Sequence, residues 1–402
     1  MLSFEEARDK VIAAVGALRR PTPVETVDLS RACGRVLARP VVADRDYPPF
    51  DRSIRDGFAV RADDATSGAT LRCIGEIRAG GSFDGAVGPG ECVQIMTGAA
   101  VPPGADSVVM IEHVSVDGER VMFSRPTRRG QSIVTRANEA RSGQQLLSPG
   151  MRLGYAEMAL AGQVGKHRIE VFERPRAAVL STGDEVVDVS ATPGPLQVRN
   201  GNSVALQTLA ELAGAAAESL GNAPDEKNEL RRRMERGLEA DLLIASGGVS
   251  MGKYDLVETV LAELGAEFAF DSVAIRPGRP AVFGICRGKP IFGLPGNPVS
   301  TMVTFELFVV PALDILGGAP PRPLPTFRAR LTHAVQERGD LTHFLPARID
   351  RPRGQPEVTV LPWQGSGDVV TLAQSNAFLV VSPDKLAWDA GEMALVLPRG
   401  LL

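Results

Sequence analysis

Along the chain the spacing of apolar residues changes repeatedly, and each spacing predicts a different kind of structure. At the start, Ala7, Val11, Ala14, Val15 and Leu18 recur on one helical face, and Ser3 with Glu6 has the spacing of a capping box. An amphipathic helix is expected there, ended by Pro21 and Pro23. A second short helix is expected after Ser30, carrying Gly34-Arg35-Val36-Leu37-Ala38. From about residue 47 to 150 the apolar runs shorten to strand length, as at 92–96 and 107–111, and Gly and Pro divide them. That text predicts a β-rich region. A helical stretch near 155–161 leads to apolar strands alternating with helical patterns at 204–215, 226–238 and 256–264. Such alternation marks βαβ units and a parallel sheet. In the 226–238 pattern Leu230, Met234 and Leu238 repeat every four residues, and Asp225 stands where an N-cap would. Past Gly317-Gly318 and Pro320, Pro321, Pro323 and Pro325, strand-like runs return at 327–331, 358–361, 378–381 and 393–397. These suggest a small barrel or sandwich.

Within the α/β region, four apolar runs each break into a small, Gly-rich loop. The run 177–180 ends in Ser181-Thr182-Gly183-Asp184-Glu185, and 242–245 ends in Ser246-Gly247-Gly248-Val249-Ser250. The run 271–275 ends in Arg276-Pro277-Gly278-Arg279-Pro280, and 291–293 ends in Leu294-Pro295-Gly296-Asn297-Pro298-Val299-Ser300. In an open α/β sheet such loops gather at the carboxyl edge, where ligands bind. Gly allows close backbone approach and Pro stiffens the turn, so one deep site for an anionic, nucleotide-like ligand is expected. Asn297 as N-cap with Pro298 at the first helical position would present free amides to an anion. Arg276 and Arg279 flank a Pro-Gly turn and suit oxyanions. Asp184, Glu185, Asp225 and Asp255 fall at the same edge, where Mg²⁺ could bridge carboxylates and phosphate. Plainer roles stay open: a well-capped helix, solvated arginines, and Asp225 as a cap. The Asp51-Arg52-Ser53-Ile54-Arg55-Asp56-Gly57 stretch, Met96-Thr97-Gly98-Ala99 and Gly365-Ser366-Gly367-Asp368 read locally as turns.

Composition narrows the class. At 402 residues the chain exceeds one ordinary core, so two to four domains are expected. A net charge of −4 argues against broad binding to nucleic acid or anionic membranes. The four cysteines form no CxxC and the four histidines are scattered, against a zinc site and in keeping with a reducing compartment. Charged residues interrupt the N-terminus where a signal peptide would be apolar, and no apolar run is expected to reach bilayer-spanning length. A cytoplasmic location is expected.

Taken in order, the segments resemble the molybdopterin molybdenumtransferase family, the bacterial MoeA proteins and the gephyrin E domain. The strongest matches are Ser-Thr-Gly-Asp-Glu at 181–185, Ser-Gly-Gly-Val-Ser-Met-Gly at 246–252 and Gly-Leu-Pro-Gly-Asn-Pro-Val-Ser at 293–300. Weaker ones lie at 49–60, 96–99 and 34–38. Each is weak alone; the ordered set is specific. The resemblance implies a multidomain α/β plus β architecture with a three-layer, mostly parallel molybdopterin-binding domain at 173–320. A β-rich domain at 45–144, an elongated linker domain at 1–44 plus 145–172, and a small β-barrel at 321–402 would complete it.

The resemblance also implies a reaction, in which adenylylated molybdopterin and molybdate enter, molybdenum is placed on the dithiolene sulfurs, and AMP leaves with Mg²⁺ as cofactor. Asp56, Glu185, Asp225 and Asp255 would be the catalytic carboxylates, with Asp225 and Asp255 on the metal. Thr97, Gly247, Gly248, Ser250, Arg276, Arg279, Asn297, Pro298, Ser300 and Ser366 would bind substrate. The implied form is an elongated homodimer in which Asp56 and Thr97 reach the partner's cleft. Other implied partners are the molybdopterin adenylyltransferase and molybdoenzyme maturation proteins. The sequence departs from the family pattern in places. Arg276 and Arg279 stand where lysine is usual at one or both sites, Arg52 and Arg55 add positive charge, and Glu139 replaces an aspartate. Asn200 stands where aspartate is common, and Pro346 replaces an arginine implicated in molybdate handling, leaving Arg348 two residues on. The rival readings are an enzyme sharing only the α/β domain, which would lack the flanking β regions, and a non-catalytic cofactor carrier or scaffold.

Overall fold

The computed structural model describes residues 1–18, 22–248, 256–351 and 354–399; Ser250 and Asp255 lie outside the described residues. The first helix, Phe4–Ala17, has the expected capping box: Glu6 N–H donates to Ser3 Oγ, and Ser3 N–H donates to the Glu6 carboxylate at 2.8 Å. Its Ala7, Val11 and Val15 are buried against the apolar helices that follow the central sheet. The second expected helix does not form. Only a single 3₁₀ turn, Leu29–Arg31, is present. Gly34 turns with φ +77°, and Val36 and Leu37 bridge to Arg152 and Val171 as extended backbone. Long-range pairing overrides local helix preference there.

A six-stranded, mostly antiparallel sheet fills the β-rich region, in the order Ser107–Met110, Gly57–Val60, Glu91–Ile95, Thr70–Ile77, Arg120–Phe123, Val114–Asp117. Gly57 is not a turn residue but the first residue of a strand. A Cβ there would lie 1.9 Å from the Val109 carbonyl oxygen, so only glycine allows the neighbouring strand so close.

The central sheet runs in the order Ala216–Ala223, Arg176–Thr182, Leu242–Ser246, Lys289–Leu294, Val282–Cys286, Ala266–Phe270. The first four are parallel and the last two antiparallel additions. Alternate side chains serve opposite faces. Ala177 and Val179 join the core under helix Gly201–Leu212, while Ala178 and Leu180 join the one under Lys227–Gly237 and Leu256–Glu263. The layers are therefore helix, sheet, helix. The run at 271–275, expected from its apolar text to be a strand of this sheet, is not one. The sheet strand is Ala266–Phe270, and Ile275–Arg276 pairs instead with the C-terminal segment at Thr342–His343.

After the last parallel strand a continuous helical run of 19 residues, Pro298–Leu316, carries a π turn at Phe305–Val309. By length and composition it could cross a membrane, contrary to the expectation that no run would be long enough, yet 78% of it is buried inside the protein. Near its end Asp314 is fully buried. It accepts from Arg152 at 2.9 Å and from Arg322 through both Nε (2.9 Å) and the backbone N–H (3.0 Å). Arg8 completes the knot by donating to the Leu307 and Arg322 carbonyls.

The C-terminal strands close into a five-stranded barrel: Thr342–Asp350, Glu357–Val360, Phe327–Leu331, Met393–Pro398 and Ala377–Val381, which pairs back to the first. The long strand Thr342–Asp350 had no strand signature because Pro346 interrupts it. Pro346 lacks an N–H, and its carbonyl accepts from Leu361 N–H instead.

Candidate active site

A cleft of about 1070 Å³ opens at the carboxyl edge of the parallel strands. Three of the four expected loops line it: Ser181, Thr182, Gly183 and Glu185; Ser246, Gly247 and Gly248; and Pro295, Gly296, Asn297 and Pro298. Of the fourth loop only Pro280 reaches the wall. Arg276 and Arg279 are exposed and do not line it. Ser300 is buried and also lies outside the lining.

The backbone of the second loop is held close to the first. Gly247 and Gly248 have φ +92° and +63°, and a Cβ on Gly247 would stand 2.8 Å from the Thr182 carbonyl. The Thr182 hydroxyl is buried beside them without a hydrogen-bond partner among the described residues. On the far side Asn200 caps helix Gly201–Leu212, its Oδ1 accepting from Ser203 N–H and the Ser181 hydroxyl, both at 3.0 Å. Asn202 donates to the Gly296 carbonyl at 2.7 Å and to Ser246 Oγ at 3.1 Å, binding three cleft elements together.

Asp225 is not a helix cap. Glu226 takes that duty, accepting from Asn228 N–H (3.0 Å) and Glu229 N–H (2.8 Å). The Asp225 carboxylate therefore has no cap to serve and lines the cleft wall, where it meets the Asp184 backbone N–H. The Asp225 backbone N–H donates to Asp184 Oδ1 at 3.0 Å, which draws the two acidic residues together. Partial burial first, then Asp184 and Glu185, push the Asp225 carboxyl above its ordinary range. Asn222 fixes the turn that carries these neighbours, donating to the Gly183 and Val186 carbonyls at 2.9 and 3.0 Å. Among the described residues, none of Asp184, Glu185 and Asp225 has an arginine or lysine partner. Nor do three metal-ligating side chains converge into a ready-made metal site there. Asp225 and Glu185 nonetheless offer the hard oxygen donors that Mg²⁺ takes alongside a phosphate-bearing substrate.

Asn297 starts helix Pro298–Thr304 with proline at its first turn, as expected, but its side chain does not cap. It donates instead to Ser366 Oγ at 2.8 Å, and Val299 N–H donates to the Ser366 carbonyl at 3.0 Å. Ser366 thus ties the barrel to the cleft helix. Arg348, offered as a substitute for the residue replaced by Pro346, is exposed beside Asp350 at 3.5 Å and does not line the cleft.

Asp56 and Thr97 meet elsewhere, in the turns beside strands Gly57–Val60 and Glu91–Ile95 of the β-rich region. Asp56 Oδ1 accepts from Thr97 N–H at 2.6 Å and its hydroxyl at 2.8 Å, and these bonds hold the carboxyl below its ordinary range. Neither residue lines the cleft of its own chain. Sequence reasoning missed Thr182 and Asn222 as site residues. Thr182 sits inside a loop already singled out, whereas Asn222 carries no local signal.

Family models match residues 2–165 as the MoeA N-terminal region (domains I and II), 178–315 as a probable molybdopterin binding domain, and 328–398 as the MoeA C-terminal region (domain IV). The chain belongs to the MoeA family. The molybdopterin molybdenumtransferase of Nostoc sp. is 33% identical, covering 99% of this chain and 94% of its own length. That of Haemophilus influenzae is 32% identical over 99% and 98%. Two solved structures of the Pyrococcus horikoshii MoeA protein share the fold. One has a TM-score of 0.84 at 26% identity, covering 99% of this chain and all of the other. The second has 0.76 at 31%, with full coverage of both chains. The MoeA assignment spans the β-rich region and the barrel as well as the α/β core, so a protein with the α/β domain alone is not the match.

Proposed function

We propose that this chain inserts molybdate into adenylylated molybdopterin and releases AMP. The relatives' shared name, molybdopterin molybdenumtransferase, supports a transferase of molybdenum cofactor biosynthesis over a scaffold. The observation that carries the reading on this chain is the group of acidic side chains, Glu185 and Asp225 with Asp184 nearby, that have no cationic partner among the described residues and stand at a glycine-lined cleft. Carboxylates crowded without a protein cation favour a divalent ion, and Mg²⁺ held there would supply charge neutralisation for the phosphoanhydride. Asp225 and Glu185 would hold it, with Asp255 completing the set from outside the described residues. Gly247 and Gly248 leave room for the substrate to lie against the backbone, together with Ser250 from outside the described residues, while Asn297, Pro298 and Ser366 shape the wall that faces it. Arg276 and Arg279, exposed outside the lining, would attract the incoming oxyanion by charge, and the buried Ser300 would support the substrate-binding helix from behind the wall.

Asp56 and Thr97, absent from this chain's own cleft, suit a role across a homodimer, where the ionised Asp56 would close a partner's site. The chain would work in a reducing compartment, the cytoplasm, receiving substrate from the molybdopterin adenylyltransferase and passing product to molybdoenzyme maturation proteins. The exposed position of Arg348 favours the alternative of a cofactor carrier lacking the anion step. The two readings separate in one assay. Purified protein with adenylylated molybdopterin, Mg²⁺ and molybdate should release AMP in step with active cofactor. Binding without AMP release at any molybdate concentration leaves the carrier.

A further inference from the structure

The cleft has a second, apolar half that the transferase reading leaves unused. Val204, Met302 and Val369 line it together with Val186, Val189 and Val198. The latter three belong to a small flap at residues 184–199, in which Val186–Val187 pairs in parallel with Val198–Arg199. Its feet are fastened: Asn222 holds the Gly183 and Val186 carbonyls, and Asn200 N–H donates to the Val187 carbonyl at 2.8 Å. Its tip is held only locally, as by the Arg199 Nε bond to the Ala191 carbonyl at 3.0 Å. The tip also carries apolar side chains in water. Leu196, outside the cleft lining, is 89% exposed, and Val189 and Val204 within the lining are 48% and 51% exposed. A flap with fixed feet, a locally held tip and exposed apolar side chains beside an apolar cleft wall is suited to close on an apolar-faced ligand.

We propose that the 184–199 flap is a ligand-gated cover, closing Val189 and Leu196 over the heteroaromatic ring of a phosphate-bearing ligand. The inference rests on the proposed reading of the cleft as a nucleotide-like site. Glu185 sits in the flap's own foot, so closure over the ring also sets the position of a cleft carboxylate. Ring recognition and the acidic end are thereby linked through one short segment.

The test uses AMP, and ribose 5-phosphate as the matching probe without a ring, on the full-length protein with Mg²⁺. AMP is expected to slow hydrogen exchange at the amides of 188–197, and ribose 5-phosphate to leave them unchanged. Leu196→Ser is expected to weaken AMP binding about tenfold, as loss of one buried leucine side chain implies, with Leu196→Met restoring it. Because Leu196 is exposed in the free protein, circular dichroism and thermal midpoint should match the parent. AMP binding with unchanged flap exchange and no effect of Leu196→Ser overturns the cover alone. No binding of AMP by the parent protein overturns the cover together with the nucleotide-like reading of the cleft.

Discussion

Asp314 and the Asp225 cluster show two ways of placing carboxylates in one protein. Asp314 is fully buried and ringed by Arg152 and Arg322, and Arg8 ties the same knot through carbonyls. Asp225 stands at an open cleft beside Asp184 and Glu185, with no protein cation among the described residues. Where the chain compensates a charge itself, the charge joins segments far apart in sequence: here the first helix, the Arg152 segment, the end of the apolar helix and the linker before the barrel. Where it leaves charges crowded and unpaired, it leaves a place for something else to bind. Stability and function use the same side chain, divided by what surrounds it.

Replacing Asp314 should therefore cost most in folding. Asp314→Asn leaves two arginines without their buried counter-charge and is expected to lose about 3–5 kcal/mol in urea unfolding. A loss under about 1 kcal/mol would erase the distinction drawn above.

Asp225→Asn should do the reverse. AMP release is expected to fall at least a hundredfold and to lose its dependence on Mg²⁺, while the fold stays intact. Because the folded carboxyl is raised, its charged form opposes folding at pH above the folded pKa. That penalty fades as pH falls through the folded value and is gone below the unfolded value near ~3.9. Asp225→Asn should thus raise the thermal midpoint slightly at neutral pH, and the gain should vanish in acid. A variant less stable than the parent at pH 7 would contradict the crowding.

Thr97→Val should have the smallest effect. It removes one of the two bonds that depress Asp56 and keeps the backbone N–H. The acid limb of the rate profile should move to higher pH, with little change at neutrality. An unmoved acid limb would detach Asp56 from the chemistry.

Much of this was legible in the chain. The capping box at Ser3 and Glu6, the parallel strands and three glycine loops follow from local pattern, because Gly, Pro and cap residues act within a few positions. What failed did so mostly through distant partners. Asp225 is the exception: the cap role expected of it falls to its neighbour Glu226. Asn297 looked like a capping side chain, yet Ser366 claims it from 69 residues away. Residues 34–38 looked helical, yet Arg152 and Val171 draw them out as extended backbone. The 271–275 run looked like a sheet strand, yet Ile275–Arg276 answers to the barrel. Short polar side chains have several partners within reach, and only the fold selects among them.

The apolar run Pro298–Leu316 also bears on how the protein is made. Taken alone, it matches a membrane-spanning segment in length and mean hydropathy only. All six strands of the sheet it covers precede it in the chain. The sheet side of its burial site is thus synthesised first, whereas Phe344, Phe378 and Val380 of the same core follow it, and the early sheet favours burial over misrouting. A circular permutant that places this run ahead of those strands would remove that safeguard.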